Sequence, residues 1–176
     1  MRLFAAVELS EKNRSALERA ARELERCSVK GSFTRRENFH ITLCFIGETE
    51  KLREAKDAVA AFSAKPFDIR LSGTGVFRRA EGDIVWAGIE KSEALESAAA
   101  FLAGQLREKG FKIEKRGFTA HITLARRFVP APGFDIKAFS NGFPALTQRV
   151  EQISLMSSEL KDGRRKYEAV YVKKLI

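Results

Sequence analysis

"FHITLCF", Phe39 to Phe45, and "AHITLAR", Ala120 to Arg126, carry the two histidines of the chain, each inside the same tetrapeptide His-Ile-Thr-Leu. In a β-strand, side chains at i and i+2 share a face. His40 then stands beside Thr42 and His121 beside Thr123, while Ile41, Leu43, Ile122 and Leu124 face a core. On a helix the two polar residues of each motif would stand about 200° apart and could not serve one site. The neighbours Phe39, Cys44, Phe45 and Ile46 also favour extended structure.

A second block repeats in the same order. "FAAVELSE" (Phe4 to Glu11) aligns with "WAGIEKSE" (Trp86 to Glu93), aromatic on aromatic, Ala5 on Ala87, Val7 on Ile89, and Glu8, Ser10 and Glu11 on Glu90, Ser92 and Glu93. Trp86 follows Phe4 by 82 positions and His121 follows His40 by 81. Two collinear blocks at nearly one offset indicate a duplicated unit. We therefore expect one domain, 1–176, made of two repeated lobes of about 1–80 and 81–176.

Each unit reads strand, helix, strand. "RLFAAVEL" and "DIVWAGIE" are short and β-rich. Ser10 and Ser92 are placed to cap helices whose apolar residues (Leu17, Ala20, Ala21, Leu24, Cys27; Leu95, Ala98, Ala99, Leu102, Leu106) recur at helical spacing, and Gly110 supplies a left-handed stop. Each helix is expected to be followed by a connector with a short strand and then by the HITL segment. "ETEKLREAKDAVAAF" reads as a helix capped by Thr49, and "FDIRLSGTGVF" as a strand. "VEQISLMSSEL" and "KYEAVYVKKL" form a hairpin turned by Asp162-Gly163. "PAPGFDIKAFSNGFPAL", with three of the four prolines, reads as a surface excursion. The class is α+β, built from a doubled strand–helix–strand unit.

The 176 residues are 44% hydrophobic, enough for a sizeable core, and no apolar run reaches the roughly 18 residues of a membrane span. The charged N-terminal stretch "MRLFAAVELSEKNR" does not read as a signal peptide. Cys27 and Cys44 make no disulfide framework, so a cytoplasmic protein is expected. The net charge of +9 comes with basic doublets at Arg35-Arg36, Arg78-Arg79, Lys115-Arg116, Arg126-Arg127 and Arg164-Arg165-Lys166. Such a surplus favours nucleic acid as partner, with a merely solubilising basic surface as the competing reading that charge alone does not separate. Dispersal along the chain argues against a disordered basic arm.

A strand histidine taken singly is usually structural. Two, each with a threonine on its own face and none elsewhere, point to chemistry. Packed about a pseudo-twofold axis, the two faces would bring two imidazoles and two hydroxyls to one cleft. One imidazole takes a proton from a nucleophile and the other gives one to a leaving oxygen. The hydroxyls hold charged oxygens. Phosphodiester chemistry uses this equipment. The competing arrangement is a zinc site, since strand alternation puts Cys44 on the face of His40 and Thr42. Ala125 occupies that place in the second copy, and the ligand supply is short of the usual three or four. Neither a nucleophile elbow nor a phosphate-cradling glycine loop is present. No cofactor and no metal is expected.

The opening "RLFAAVEL", "ENFHITLCFIGE", "GVFRRAEGDIVWAGIE", "FTAHITLAR" and the closing "SSELKDGRRKYEAV" together resemble the two-histidine phosphoesterases, and within them the RNA 2′,3′-cyclic phosphodiesterase or 2′-5′ RNA ligase family. The resemblance implies a bilobal α+β fold, with two pseudo-twofold-related antiparallel sheets, helices on the outside and a central cleft. It also implies metal-free opening of a terminal 2′,3′-cyclic phosphate of single-stranded RNA to a 2′-phosphate. His40 would be the proton donor, His121 the proton acceptor, and Thr42 and Thr123 the grip on phosphate oxygens. The residues themselves leave the two histidine roles open. With a 5′-hydroxyl in place of water, the same chemistry forms a 2′-5′ linkage, without a nucleotide triphosphate. Arg126 matches the family's phosphate-binding arginine. Plain alternation puts Arg127 rather than Arg126 on the face of His121, so Arg126 requires that the strand end or bulge before it. Phe45 matches an aromatic that would stack on a base, though core filler is the competing role. Tyr167 and Ser158 match the closing motif with no chemistry assigned. Ala120 departs from the proline that many relatives place before the histidine. The pseudo-twofold within one chain makes a monomer sufficient. Two other functions stay open: a phosphodiesterase for 2′-5′ oligonucleotides or small cyclic nucleotides, and a non-catalytic RNA-end binder.

Overall fold

Both HITL segments are strands, and each lies beside the strand that its own repeat begins with. The computed structural model describes residues 1–115 and 117–176, so Arg116 of the Lys115-Arg116 doublet lies outside the described residues. The elements are β1 Arg2–Glu8, α1 Glu11–Arg26, β2 Ser28–Phe33, a single 3₁₀ turn Arg36–Asn38, β3 His40–Glu48, α2 Leu52–Ala60, β4 Phe67–Phe77, β5 Asp83–Ile89, α3 Glu93–Glu108, β6 His121–Pro130, α4 Ile136–Gly142, β7 Leu146–Val150, β8 Gln152–Lys161 and β9 Arg164–Lys174. They form two antiparallel sheets, β3-β1-β8-β9 and β2-β6-β5-β4-β7, with helices packed on them, an α+β architecture.

The two sheets cut across the halves 1–80 and 81–176 that the repeat suggests. β2 and β4 from the first half sit in the five-stranded sheet, and β8 and β9 from the second half complete the four-stranded one. A central strand needs partners on both edges, and exchange between repeats supplies them.

The paired serine caps are present. Ser10 accepts a hydrogen bond from Asn13 N (3.3 Å) and Ser92 one from Leu95 N (3.3 Å). α1 buries Leu17 and Leu24, and α3 buries Leu95, Leu102 and Leu106, each at helical spacing. Gly110 ends α3 at φ +79. Ile41, Leu43, Ile122 and Leu124 are buried in one continuous core. Asp162 (φ +51) and Gly163 (φ +73) turn the β8–β9 hairpin.

Three expectations need correction. Thr49 does not cap α2; that helix starts at Leu52 after Lys51, and the Thr49 hydroxyl accepts from Lys51 N (3.0 Å) in the preceding turn. Residues 130–146 are not a loose excursion. They hold α4, capped by Asp135, and bury Phe139 and Phe143, because aromatic side chains there reach the core despite the flanking prolines. The connector after α3 carries no strand among its described residues, whereas the one after α1 carries β2.

Gly82 comes immediately before β5 with φ +109, and a Cβ there would lie 2.6 Å from the backbone carbon of Arg127. Gly104, inside α3, has open space around it. Gly82→Ala should lower stability by ~2–3 kcal/mol through strain and clash. Gly104→Ala should raise it by ~0.5–1 kcal/mol through helix propensity. Urea unfolding of the two variants checks both signs.

Candidate active site

β3 and β6 each break strand alternation at the same two places. Against β1, Thr42 pairs with Ala6 and Cys44 with Ala5, so Leu43 is an extra residue; Phe45 pairs with Phe4 and Gly47 with Leu3, so Ile46 is another. Against β5, Thr123 pairs with Trp86 and Ala125 with Val85, leaving Leu124 extra, and a second irregularity falls at Arg126 and Arg127 before Phe128 pairs with Asp83. Bulges of this kind re-aim the side chains that follow. In β3 they bury Leu43 and Cys44 in succession and turn Phe45 out to 47% exposure. In β6 they bury Leu124 and Ala125 and turn Arg126 out.

The bulge places two residues differently from plain alternation. Cys44 is not on the face of His40 and Thr42. It belongs to the core, and burial pushes its thiol up to about 11, with Arg107 on α3 pulling the other way. Among the described residues, no group of three histidine, cysteine or acidic side chains is gathered as a metal site would require. Arg126 is turned out beyond the bulge, and its positive charge reaches His40. Arg127 takes the left-handed conformation (φ +51) and lies 3.9 Å from Glu81. Phe45 and Arg126 hold equivalent positions in the two repeats.

The histidines are held alike. His40 Nδ1 is 2.7 Å from the Asn38 carbonyl oxygen, and His121 Nδ1 is 2.7 Å from that of Thr119. A carbonyl only accepts, so each Nδ1 carries the proton, and a ring in its neutral form has Nε2 as its basic nitrogen. At His40, Nε2 lies 3.0 Å from Thr42 Oγ1, whose hydroxyl then donates to it.

Aromatic rings surround both. Phe4 (4.9 Å between centroids) and Tyr167 (5.1 Å, edge-on) pack against His40. Phe77 (5.2 Å) and Trp86 (6.1 Å) pack against His121. Phe4 and Trp86 are the matched aromatics of the sequence repeat, so that alignment already marked them. A Cβ on Gly75 would fall 2.2 Å from Trp86 Cζ2, so only glycine leaves room for this indole. Asn38 carries no comparable signal, and the closing motif marked Tyr167 without a role. Nothing in a linear reading says that residue 167 meets residue 40.

The two motifs also feel each other. Burial, above all, pushes the His40 imidazole down to about 4. The hydrogen bond to the Asn38 carbonyl favours the charged ring, while the positive charges of Arg126 and His121 disfavour it. His40 is therefore neutral at pH 7. In an unfolded chain a histidine titrates near 6.5, so between pH 6.5 and about 4 the unfolded state binds a proton that the folded state refuses. Stability should fall as pH falls through that window, by up to ~3 kcal/mol, and this contribution should end below pH 4. Urea unfolding of wild type and His40→Gln between pH 7 and 4 checks this: the variant should lose less stability by about that amount.

The whole chain has known relatives. Residues 13–162 match the model of the 2'-5' RNA ligase superfamily. The RNA 2',3'-cyclic phosphodiesterase of Thermus thermophilus is 35% identical over 173 residues, 92% of this chain and 83% of that protein. The protein of the same name from Archaeoglobus fulgidus is 34% identical over 130 residues, 72% of each. That from Geobacillus stearothermophilus is 30% identical over 175 residues, 95% of this chain, which spans 55% of the relative's length. Among solved structures, TT0787 of Thermus thermophilus superposes with a TM-score of 0.81 at 30% identity, covering 99% of this chain and 97% of that one. E. coli LigT complexed with 3'-AMP shares the fold, with a TM-score of 0.80 at 24% identity and the same coverage. With twin histidine strands bulged alike and a family match across most of its length, the chain belongs to the 2'-5' RNA ligase superfamily.

Proposed function

We propose that this chain is an RNA 2′,3′-cyclic phosphodiesterase that opens terminal cyclic phosphates to 2′-phosphates by acid–base catalysis between His40 and His121. The observation that carries this reading is the mirrored setting of the two imidazoles. Each is fixed through Nδ1 by a backbone carbonyl two residues upstream, and the charge of one is felt at the other. Relatives named for this activity support the substrate class.

In the reaction, one imidazole Nε2 accepts a proton from water as its oxygen attacks phosphorus. The bond from phosphorus to the 3′ oxygen breaks, and the other imidazole delivers a proton to that oxygen. Thr42, Thr123 and Arg126 bind the non-bridging oxygens, whose charge grows in the transition state. Phe45, exposed on the same face and 6.2 Å from Phe4 between centroids, offers a ring for the terminal base. Replacing water with a 5′-hydroxyl turns the same steps into 2′-5′ ligation. The basic surface draws RNA in, and one copy of the chain holds the whole set of groups.

The donor role implied for His40 meets an obstacle in the empty site, where that ring is neutral at pH 7. An anionic phosphate seated between the imidazoles and Arg126 favours the charged ring and removes the obstacle. The pKa values of kcat/KM report the free enzyme and those of kcat report the complex. A His40 limb should therefore lie near 4 in the first profile and move toward neutrality in the second.

The direct test is an oligonucleotide ending in a 2′,3′-cyclic phosphate, with the product read as 2′- or 3′-phosphate. The expected product is the 2′-phosphate, at a rate unaffected by EDTA. His40→Ala or His121→Ala should each cost about 10²–10⁴-fold. An RNA-end binder without catalysis predicts no product, and preferential turnover of 2′-5′ oligonucleotides or small cyclic nucleotides would reassign the substrate.

A further inference from the structure

The β8–β9 hairpin starts from an unpromising place for contact with His40. Register puts Tyr167 level with Ser158 and Arg2 at one end of the four-stranded sheet, while His40 is level with Glu8 at the other. β1 pairs with β8 only as far as Ser158, so the hairpin tip extends beyond its neighbour. The right-handed twist of a sheet bends diagonally opposite corners toward the same face. β9 and β3 are the two edges, and Tyr167 and His40 lie toward opposite corners. The tip thus arches across the sheet face, carrying the Tyr167 ring onto His40 and Phe4.

At the far end of the arch, Asn38 Nδ2 donates to the Arg165 carbonyl oxygen at 3.0 Å, a bond between residues 127 positions apart. The same Asn38 accepts the His40 Nδ1 proton on its backbone carbonyl. Its Oδ1 is buried without a hydrogen-bond partner, so the amide is placed for the hairpin and not for its own satisfaction. The equivalent residue of the second repeat is Thr119. It gives His121 the same carbonyl bond, but its side chain cannot repeat the amide tie.

We propose that Asn38 is a positioning residue: its side chain latches the β8–β9 hairpin over His40, so that Tyr167 shields the ring while the Asn38 carbonyl fixes its tautomer. The latch makes the two histidines chemically unequal, although the repeat wrote them alike. It rests on the reading of His40 as an acid–base group only for its effect on turnover. The charged and titratable groups facing His40 are Arg126 and His121 from β6, Tyr167 from β9, and Glu8 across the β1 pairing, whose carboxylate accepts from Ser154 Oγ at 2.9 Å. Arg36 in the preceding turn is engaged with Glu11 and Glu18. Replacing Asn38 removes none of these groups, and of them only Tyr167 is held in place by the latch.

The test uses the intact chain with Asn38→Ala and, as a variant of similar bulk without a donor, Asn38→Leu. With two histidines in the chain, ring NMR assigns their titrations cleanly. Loss of the latch should raise the His40 titration from about 4 toward its ordinary value and speed amide exchange at residues 159–166 by about tenfold. With cyclic-ended RNA, kcat should fall by about tenfold while KM changes less. A His40 titration unchanged in both variants overturns the proposal, whether or not the hairpin loosens. Should wild type fail to turn over cyclic-ended RNA, the functional reading falls, while titration and exchange still judge the latch by themselves.

Discussion

A strand has two faces, and in β3 and β6 one of them is committed to the core. Strict alternation would allow His and Thr on the open face and would then send the third useful position, two residues further on, to Cys44 or Ala125. The bulge at Leu43 and Leu124 avoids this by burying two residues in succession, so that Phe45 and Arg126 emerge beside the histidines. That local irregularity is the constraint on which the site depends. It costs ladder hydrogen bonds, and the core offsets the cost by taking Ile41, Leu43, Cys44, Ile122, Leu124 and Ala125 on the other side. Gly82, where a Cβ would meet the backbone of Arg127, leaves room for the second bulge.

From one template the protein derives two unequal halves. Each histidine has the same carbonyl acceptor and a matched aromatic neighbour, Phe4 or Trp86. The differences lie in what later chain segments bring. β9 carries Tyr167 onto His40, and β4 carries Phe77 onto His121. The bulged third position is an exposed phenylalanine in one copy and an arginine in the other. A phosphodiester substrate is itself lopsided, with a base and sugar on one side of phosphorus and the attacking oxygen on the other. On the proposed function, symmetric proton-handling groups combined with asymmetric binding groups suit such a substrate.

Much of this was legible in the sequence because its carriers are local. HITL in strand form fixes which side chains share a face, Ser10 and Ser92 mark helix starts, and Asp162-Gly163 marks the hairpin turn. The repeat also predicted a doubled architecture. What was hidden is non-local or depends on a one-residue slip. No propensity announces the extra residue at Leu43 or Leu124, so plain alternation put Cys44 on the histidine face when it is core. Strand exchange between the repeats leaves no trace in composition. Helix α4 hid within a proline-rich stretch, where turn signals outweigh a seven-residue helix. Asn38 and Tyr167 act through contacts across more than a hundred positions, set by sheet twist.

The central claim is that both His-x-Thr faces serve one phosphate. Inorganic phosphate titrated into the protein, with the ring nitrogens of His40 and His121 followed together by NMR, tests this without assuming any reaction. One shared saturation curve, moving both rings with a single dissociation constant, is the predicted result. Response of one ring only, or two curves with different constants, would contradict it.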